Sequence, residues 1–338
     1  GSVKDRAAWY IVREAERRGL LRPGGTIIES SSGNFGIALA MIGAAKRYHV
    51  IILVDPKTTE ANLALLRCFG AEVIVVTERD DCGSYHKTRI ALANRLAGEI
   101  CGSFRPDQCF SLLNSEAHYQ YTAKEILEGC EGRLDVFIAP VSTGGQLGGI
   151  SRYIKTYAPG VRVIGVDAEG SSVFGGVPHP YRIPGIGLGW TPENLRLDKI
   201  DCAYKVCDED AFVAARVLAM QEGLLMGPSS GACMVVALKY AELLGRGRRI
   251  ISMVADGADR YLQTLFNDGW MKSQGFSLNT GTDELKRRAR NLRPWSLRPC
   301  DAANYQDELV DGLNAPFTTM LVNAELRKEH GSVDDKSL

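Results

Sequence analysis

With 338 residues, 45% of them hydrophobic and 24% charged, the chain is long enough for two α/β domains or one large one and has the composition of a soluble globular protein. Forty basic and forty acidic side chains cancel, so no overall field draws it to nucleic acid or to an anionic membrane. No apolar run reaches bilayer-spanning length, and no signal peptide is visible. Nine cysteines, an odd number without C-x-x-C spacing, argue for free thiols in a reducing cytoplasm rather than a disulfide framework or a metal site.

Taken in order, Gly1–Arg6 opens an amphipathic helix that runs to about Arg18 and stops at Gly19, with Ser2 and Asp5 as a short capping box. Lys4 then lies in the first turn, where the helix dipole disfavours a cation: a lysine there is ordinarily a solvated surface residue, or, with its pKa lowered by the dipole and by burial, an amine suited to Schiff-base formation. Thr26–Ile28 leads as a strand into Glu29-Ser30-Ser31-Ser32-Gly33-Asn34-Phe35-Gly36, and Ile37–Met41 leads out as a helix. Hydroxyls, an amide and glycines at a strand-to-helix turn, with the new helix's N–H groups behind them, suit an anion; a capped helix start, with Ser32 or Asn34 as the cap, explains the same residues.

Strands at 49–54 and 72–77 then alternate with helices at 59–69 and 85–100. Residues 108–113 read as extended, 115–128 as helical, 135–141 as a continuous apolar strand, and 161–166 as the next strand after a glycine loop and a helix to about Tyr157. An irregular stretch leads to strand 204–206, helices 210–221 and 230–244, and strand 249–254. Apolar strands alternating with helices predict open parallel sheets covered on both faces, an α/β protein. A boundary near residue 113 separates an N-terminal α/β domain (1–113) from a C-terminal one (114–272). Residues 273–338 read as a polar extension whose basic cluster Lys286–Arg290 is a solvated helix face, and whose last residues, from about Arg327, are charged and frayed.

Two further glycine-rich turns ask for a ligand. Ser142-Thr143-Gly144-Gly145-Gln146-Leu147-Gly148-Gly149 follows an apolar strand and opens a helix, which makes a phosphate cup without the spacing of a dinucleotide fingerprint or a nucleotide P-loop. Gly227-Pro228-Ser229-Ser230-Gly231-Ala232 caps a helix or touches the same ligand.

GSVKDR, SSGNFG, STGGQLGG and GPSSGA, in this order, resemble the cysteine synthase family of fold-type II pyridoxal-phosphate enzymes, over about residues 1–270. The resemblance implies the tryptophan synthase β-like fold, two parallel-sheet domains with pyridoxal 5′-phosphate between them, and a homodimer. It places the Schiff-base lysine at Lys4 and the ring hydroxyl's partner at Asn34. The cofactor phosphate falls to Ser142, Thr143, Gly144, Gly145 and Gln146, and the pyridine nitrogen to Ser229. Ser31, Ser32, Gly33 and Phe35 would hold the substrate carboxylate, with Gln108 at a second carboxylate-binding position. A neutral serine against the ring nitrogen makes a weak electron sink, suited to β-elimination of a good leaving group and addition of a nucleophile to an aminoacrylate, with released Lys4 as base.

Departures from the family pattern are Ser30 for proline, Phe35 for threonine, Gln146 for threonine or serine, and Ser111 for asparagine; the family also carries a segment ahead of the lysine motif. Val54–Lys57, Ala139–Thr143, Val166–Ala168 and Asp259–Leu262 look like the 2,3-diaminopropionate branch. Its members join O-phospho-L-serine to L-glutamate and form N-(2-amino-2-carboxyethyl)-L-glutamate, a precursor of siderophores and peptide antibiotics. Arg182, beside the glycine-rich loop 184–189, is the candidate for the donor phosphate or acceptor carboxylate. The alternative within the family is a cysteine or S-sulfocysteine synthase using sulfide or thiosulfate. A serine/threonine dehydratase lacks support, since Ser2-Val3-Lys4 is not the Ser-Phe-Lys setting, and intact Lys4, Asn34 and Ser229 speak against a silent interaction protein.

Overall fold

The computed structural model describes residues 1–79, 85–278 and 280–297. It contains two four-stranded sheets, and every pairing between named strands is parallel. The first comprises β1 (Thr26–Ser30), β2 (His49–Val54), β3 (Glu72–Val75) and β4 (Ser103–Phe104), in the order β3-β2-β1-β4. The second comprises β5 (Val136–Pro140), β6 (Arg162–Ala168), β7 (Cys202–Val206) and β8 (Ile250–Ser252), in the order β7-β6-β5-β8. Central strands must be apolar on both faces when helices cover both sides, and Val136–Pro140 is buried along its whole length.

This topology positions the site. From β1 the chain crosses to β2 on one side, while β4 returns on the other; from β5 it crosses to β6, while β8 returns opposite. Each sheet therefore has a switch point, at the carboxyl ends of β1/β4 and of β5/β8, where crossovers diverge and leave a crevice. The serine turn follows β1, Gln108 follows β4, the glycine loop follows β5, and Ala255-Asp256 follows β8.

The helices that open at these crevices are α1 (Lys4–Arg17), α2 (Asn34–Lys46), α7 (Gly145–Tyr157) and α9 (Pro228–Leu244). Ile11, Val12 and Ala15 of α1 pack with Leu39 and Ala40 of α2 in the first sheet's core. Ala232, Val235 and Val236 of α9 join Ile138, Val166 and Val206 in the second, where each fully buried aliphatic side chain contributes about 1.5–3 kcal/mol. Val3 rather than Ser2 stands at the cap of α1, without a side-chain capping bond; Ser2 Oγ accepts from the Lys4 N–H (3.2 Å) and Asp5 accepts from the Ser2 N–H (2.9 Å) just ahead of it.

Several expectations are corrected. Residues 108–112 form turns rather than a strand, because Phe110 N–H and Ser111 N–H both bond back to Asp107 O; α5 (Leu113–Ala117) begins directly after them. The segment 115–128 is helical but includes a π-helical stretch, His118–Thr122, before α6 (Ala123–Gly129). The stretch from 273 is not wholly a polar extension. After α10 (Asp268–Ser273), helix α11 (Thr282–Asn291) buries Leu285 and Ala289 in the core of the second sheet's unit. Its basic face is engaged as well as solvated: Arg288 pairs with Glu284 and Asp210, and Arg290 with Glu242. The expected frayed end from Arg327 lies outside the described residues.

Among the described residues no helix is long and apolar enough to cross a membrane, and no group of three metal-ligating side chains gathers. Among the described residues no two cysteines form a disulfide.

Candidate active site

A cleft of about 240 Å³ opens where the two switch points face each other, and it collects most of the residues singled out from the sequence. Lys4, Asn34, Ser142, Thr143, Gly144, Gly145, Gln146 and Ser229 all line it, as do Ser31, Ser32, Gly33, Phe35 and Gln108. Lys4 and Thr143, 139 positions apart in the chain, are thus neighbours.

Lys4 is brought in by the first turn of α1. Its Nζ donates to Thr143 Oγ1 (3.3 Å), and that hydroxyl also accepts from Asn114 Nδ2 (3.0 Å), whose amide in turn donates to Gln108 O (2.7 Å). Burial holds the Lys4 amine below its ordinary value, with Cys109 opposing the shift. The neutral, nucleophilic form is thereby more accessible than in a solvated lysine.

The serine turn works differently from a side-chain-capped helix. Gly33, not Ser32 or Asn34, is the residue at the cap of α2, and no side chain bonds there. Instead Ser31 Oγ accepts from the Gly36 N–H (3.0 Å) across the turn, and Gly36 is needed because a Cβ would sit 2.5 Å from Ser31 O. Asn34 is consequently free to use its amide elsewhere: Nδ2 donates to Asp256 Oδ2 at 2.7 Å. Phe35 lines the cleft, but its side chain is 2% exposed and belongs to the first sheet's core. It can offer a ligand its backbone and not its ring.

In the glycine loop, Gly144 has φ +79°, and a Cβ there would press on Leu195 N at 2.9 Å. The loop feeds the N-terminus of α7, whose free N–H groups and dipole favour an anion. Gln146 Nε2 is buried without a hydrogen-bond partner, a donor in need of an acceptor. Ser142 Oγ donates to Gly187 O (3.2 Å), which ties this loop to the one at 184–189. An unsatisfied donor at a helix N-terminus, a half-buried lysine amine and a buried neutral serine (Ser229, 3% exposed) together fit a phosphate-bearing aldehyde cofactor such as pyridoxal 5′-phosphate.

Arg182 is not among the residues lining the cleft. Its backbone N–H and that of Ile183 donate to Asp208, its guanidinium bonds Gln274, and it lies over Phe276. A different arginine occupies the cleft. Arg89, 8% exposed, sits 3.1 Å from Asp55 Oδ2, while its Nε has no hydrogen-bond partner. Motif reading missed Arg89, because it lies inside an ordinary amphipathic helix, α4 (His86–Glu99). The readable signal was its place on the helix face shared with buried Ala93.

Two carboxyls border the site. Glu29 is 2% exposed at the end of β1; it accepts from Ser30 N–H (2.8 Å) and Gln108 N–H (3.3 Å), and burial pushes it up to about 7 against the pull of Arg105. Asp256, 5% exposed, also accepts from Tyr261 OH (2.6 Å), and burial raises it above the usual carboxylate range. Nearby His118, within the π-helical stretch, is pushed down to about 3 by burial and by Lys4 and Arg6, and so stays neutral. Burial lifts the Cys109 thiol to about 11, which leaves it a thiol at neutral pH.

Comparison with known proteins agrees with this geometry. The chain matches the family described as "Pyridoxal-phosphate dependent enzyme" over residues 1–256. It is 39% identical over 305 residues to cystathionine beta-synthase of Mus musculus, covering 87% of this chain and 52% of that enzyme. The chain thus spans about half the length of such relatives. Against N-(2-amino-2-carboxyethyl)-L-glutamate synthase of Ralstonia nicotianae it is 39% identical over 271 residues, 80% of either chain. Among solved structures, O-ureido-L-serine synthase superposes with a TM-score of 0.74 at 33% identity, over 80% of this chain and 88% of that one. The O-acetylserine dependent cystathionine beta-synthase of Helicobacter pylori gives 0.71 at 37% identity, over 78% and 85%. Four strand ends converging on one lysine, and a family match that runs through all four of their loops, lead to one assignment: the chain belongs to the pyridoxal-phosphate dependent enzymes, with the fold-type II architecture of its cysteine synthase and cystathionine β-synthase relatives.

Proposed function

We propose that this protein catalyses β-replacement on an O-activated L-serine, joining O-phospho-L-serine to L-glutamate to give N-(2-amino-2-carboxyethyl)-L-glutamate. The observation that carries the reading is the match to the Ralstonia enzyme, which extends over 80% of both chains. The cleft supports it with a buried cation: Arg89 offers an unpartnered N–H beside the serine turn, and guanidinium is well suited to a phosphate or a second carboxylate.

Bound pyridoxal 5′-phosphate supplies the electron sink for breaking the bonds at the substrate's α- and β-carbons. Lys4 is the residue that would hold it covalently and, once released, take the α-proton; burial lowers its amine from the ordinary value, which favours the neutral form a base needs. Gly144, Gly145 and Gln146, with the hydroxyls of Ser142 and Thr143, would hold the phosphate. Asn34 would meet the ring hydroxyl, and Ser229 the ring nitrogen. Ser31, Ser32 and Gly33 with Gln108 would bind the substrate carboxylate. Homodimeric assembly in the cytoplasm belongs to the same proposal and rests on the family resemblance.

A cystathionine-forming reading draws on the mouse enzyme's 39% identity, and a cysteine or S-sulfocysteine synthase remains the alternative from sequence. One matrix of assays separates them. O-Phospho-L-serine and O-acetyl-L-serine are each offered with L-glutamate, L-homocysteine, sulfide and thiosulfate, and products are identified by mass spectrometry. The glutamate adduct from O-phosphoserine is expected to dominate. Turnover with sulfide or homocysteine but none with glutamate would overturn the assignment. Arg89→Ala should lower kcat/KM about 10–100-fold for the phosphorylated donor and much less for the acetylated one, as loss of a charge-assisted hydrogen bond predicts.

A further inference from the structure

We infer that Asp256 is a positioning residue that fixes which end of the Asn34 amide faces the cofactor, and that it couples the three helix starts around the ring. This rests on the placement of Asn34 at the ring hydroxyl proposed above.

The segment Ala255-Asp256 leaves the second sheet at the carboxyl end of β8, next to the end of β5. Its backbone holds two of the site's helices. Ala255 O accepts from Val3 N–H (2.7 Å), and Ser2 bridges to Asp256, so the start of α1 and with it Lys4 is stitched here. Asp256 O accepts from Gly227 N–H (3.0 Å), and Ala255 N–H donates to Ser230 Oγ (3.1 Å), which fixes the start of α9 on either side of Ser229.

The side chain reaches the third helix start. Oδ2 accepts from Asn34 Nδ2 at 2.7 Å and from Tyr261 OH at 2.6 Å. Gly227 allows this approach, since a Cβ there would lie 1.9 Å from Asp256 Oδ1. An amide side chain is ambiguous: it can turn either its oxygen or its NH₂ to a ligand. An ionised carboxylate only accepts, so it takes one N–H of Nδ2 and settles the choice. The other N–H remains for an acceptor in the cleft, the match a ring oxygen needs. Tyr261 anchors the carboxylate oxygen and keeps it from rotating away. Motif comparison gives Asp256 no role; it is the connectivity, through β8 to a switch point, that brings it 222 positions along the chain to Asn34.

The test uses the full-length holoenzyme carrying Asp256→Asn, Asn34→Ala and both changes together. Two quantities are read: the ratio of the bound cofactor's absorption bands as a function of pH, and the affinity of the resolved apo-protein for pyridoxal 5′-phosphate by equilibrium dialysis. An asparagine at 256 can donate to the Asn34 oxygen and turn that amide over. We expect it to shift the band ratio in the same direction as Asn34→Ala and to weaken cofactor binding about 10-fold or more, with no further effect of either kind in the Asn34→Ala background. Independent, additive effects in the double variant overturn the inference, as does an unchanged ratio in Asp256→Asn while Asn34→Ala shifts it. An unchanged spectrum in Asn34→Ala removes the placement of Asn34 itself, and the inference falls with it; the assay matrix for β-replacement is unaffected by that outcome. If Asp256→Asn does not accumulate folded, Tyr261→Phe, which frees the same carboxylate oxygen, carries the test. A smaller shift of the same sign supports the inference, and no shift beside a shifted Asn34→Ala overturns it.

Discussion

At the scale of single residues, burial is the agent that sets chemistry in this protein. It lowers the Lys4 amine and raises the Glu29 carboxyl, and the two consequences differ: one serves reaction, the other burdens the fold. Replacing Lys4 with Ala should remove the label that borohydride reduction places on the peptide containing residue 4. It should also cut turnover by at least about 10²-fold, the ordinary worth of a positioned base; a label persisting on another lysine would place the covalent site elsewhere. Glu29 makes a prediction about pH. Its folded-state pKa, about 7, lies above its ordinary value of 4.5. The folded protein therefore binds more protons than the unfolded chain between those values. The stability from this group is complete below about pH 4.5 and is lost as pH rises through about 7, a change of about 3 kcal/mol. Glu29→Gln has no such proton to lose. Between pH 5 and pH 8 the wild type should lose about 2.5 kcal/mol more than the variant in denaturant titrations, and parallel curves would show that Glu29 is not the buried acid described.

Elements were legible from sequence where one physical rule decides them, and illegible where a crossover does. Val136–Pro140 reads as a buried strand because it is apolar throughout, and α2 reads as a helix from its Ala, Leu and Met content. Lys4, Asn34 and Ser229 were found through motifs at helix starts, and the cleft does bring them together. Arg89 and Asp256 carry no local pattern, because what makes them neighbours of the site is the return of β4 and β8 to the far side of β1 and β5. Arg182 shows the converse: proximity in sequence to a glycine loop says nothing about Asp208 and Gln274, its partners away from the cleft lining. The two-residue β4 escaped because so short a segment gives little periodicity; α11 was read as a solvated helix face, and only the packing of Leu285 and Ala289 shows where it belongs. Glycines separate the same two kinds of information. In α7, a Cβ on Gly148 would lie 1.9 Å from Asn194 O, whereas in α4 one on Gly98 would meet nothing within 4 Å. Alanine improves helix propensity at both. Gly98→Ala should stabilise by about 0.5–1 kcal/mol, while Gly148→Ala should destabilise by about 1–3 kcal/mol as the backbone of Asn194 is forced away. Thermal midpoints moving in the same direction for the two variants would contradict this close approach.

On the scale of the whole molecule, the cleft is where two separately built sheets are joined. Lys4 and Asn34 come from helices packed on the first sheet; Thr143 and Asp256 come from loops of the second, and Gln146 and Ser229 from the first turns of its helices α7 and α9. Direct bonds across the junction include Lys4 to Thr143, Asn34 to Asp256, Val3 N–H to Ala255 O, and the exposed pair Arg6 and Glu125 at 2.6 Å. An exposed ion pair contributes little, and the first two bonds fall among the groups assigned to the cofactor. A molecule that binds Lys4 at one end and the α7 N-terminus at the other therefore adds a further link between the sheets. Binding to the folded state alone stabilises it by RT ln(1 + [L]/Kd), about 2.7 kcal/mol at a hundredfold excess over Kd and about 4.1 kcal/mol at a thousandfold. Stripping the protein of pyridoxal 5′-phosphate with hydroxylamine should lower the thermal midpoint by several degrees. Titrating the cofactor back should raise it roughly linearly with the logarithm of its concentration. Lys4→Ala should retain part of that rise, because the glycine loop and its unpartnered Gln146 Nε2 still offer the phosphate a site. A midpoint indifferent to the cofactor in the wild type would mean that the ligand does not span the two sheets. A rise of equal size in Lys4→Ala would mean that the phosphate loop alone accounts for the linkage and that the lysine adds chemistry but no stability.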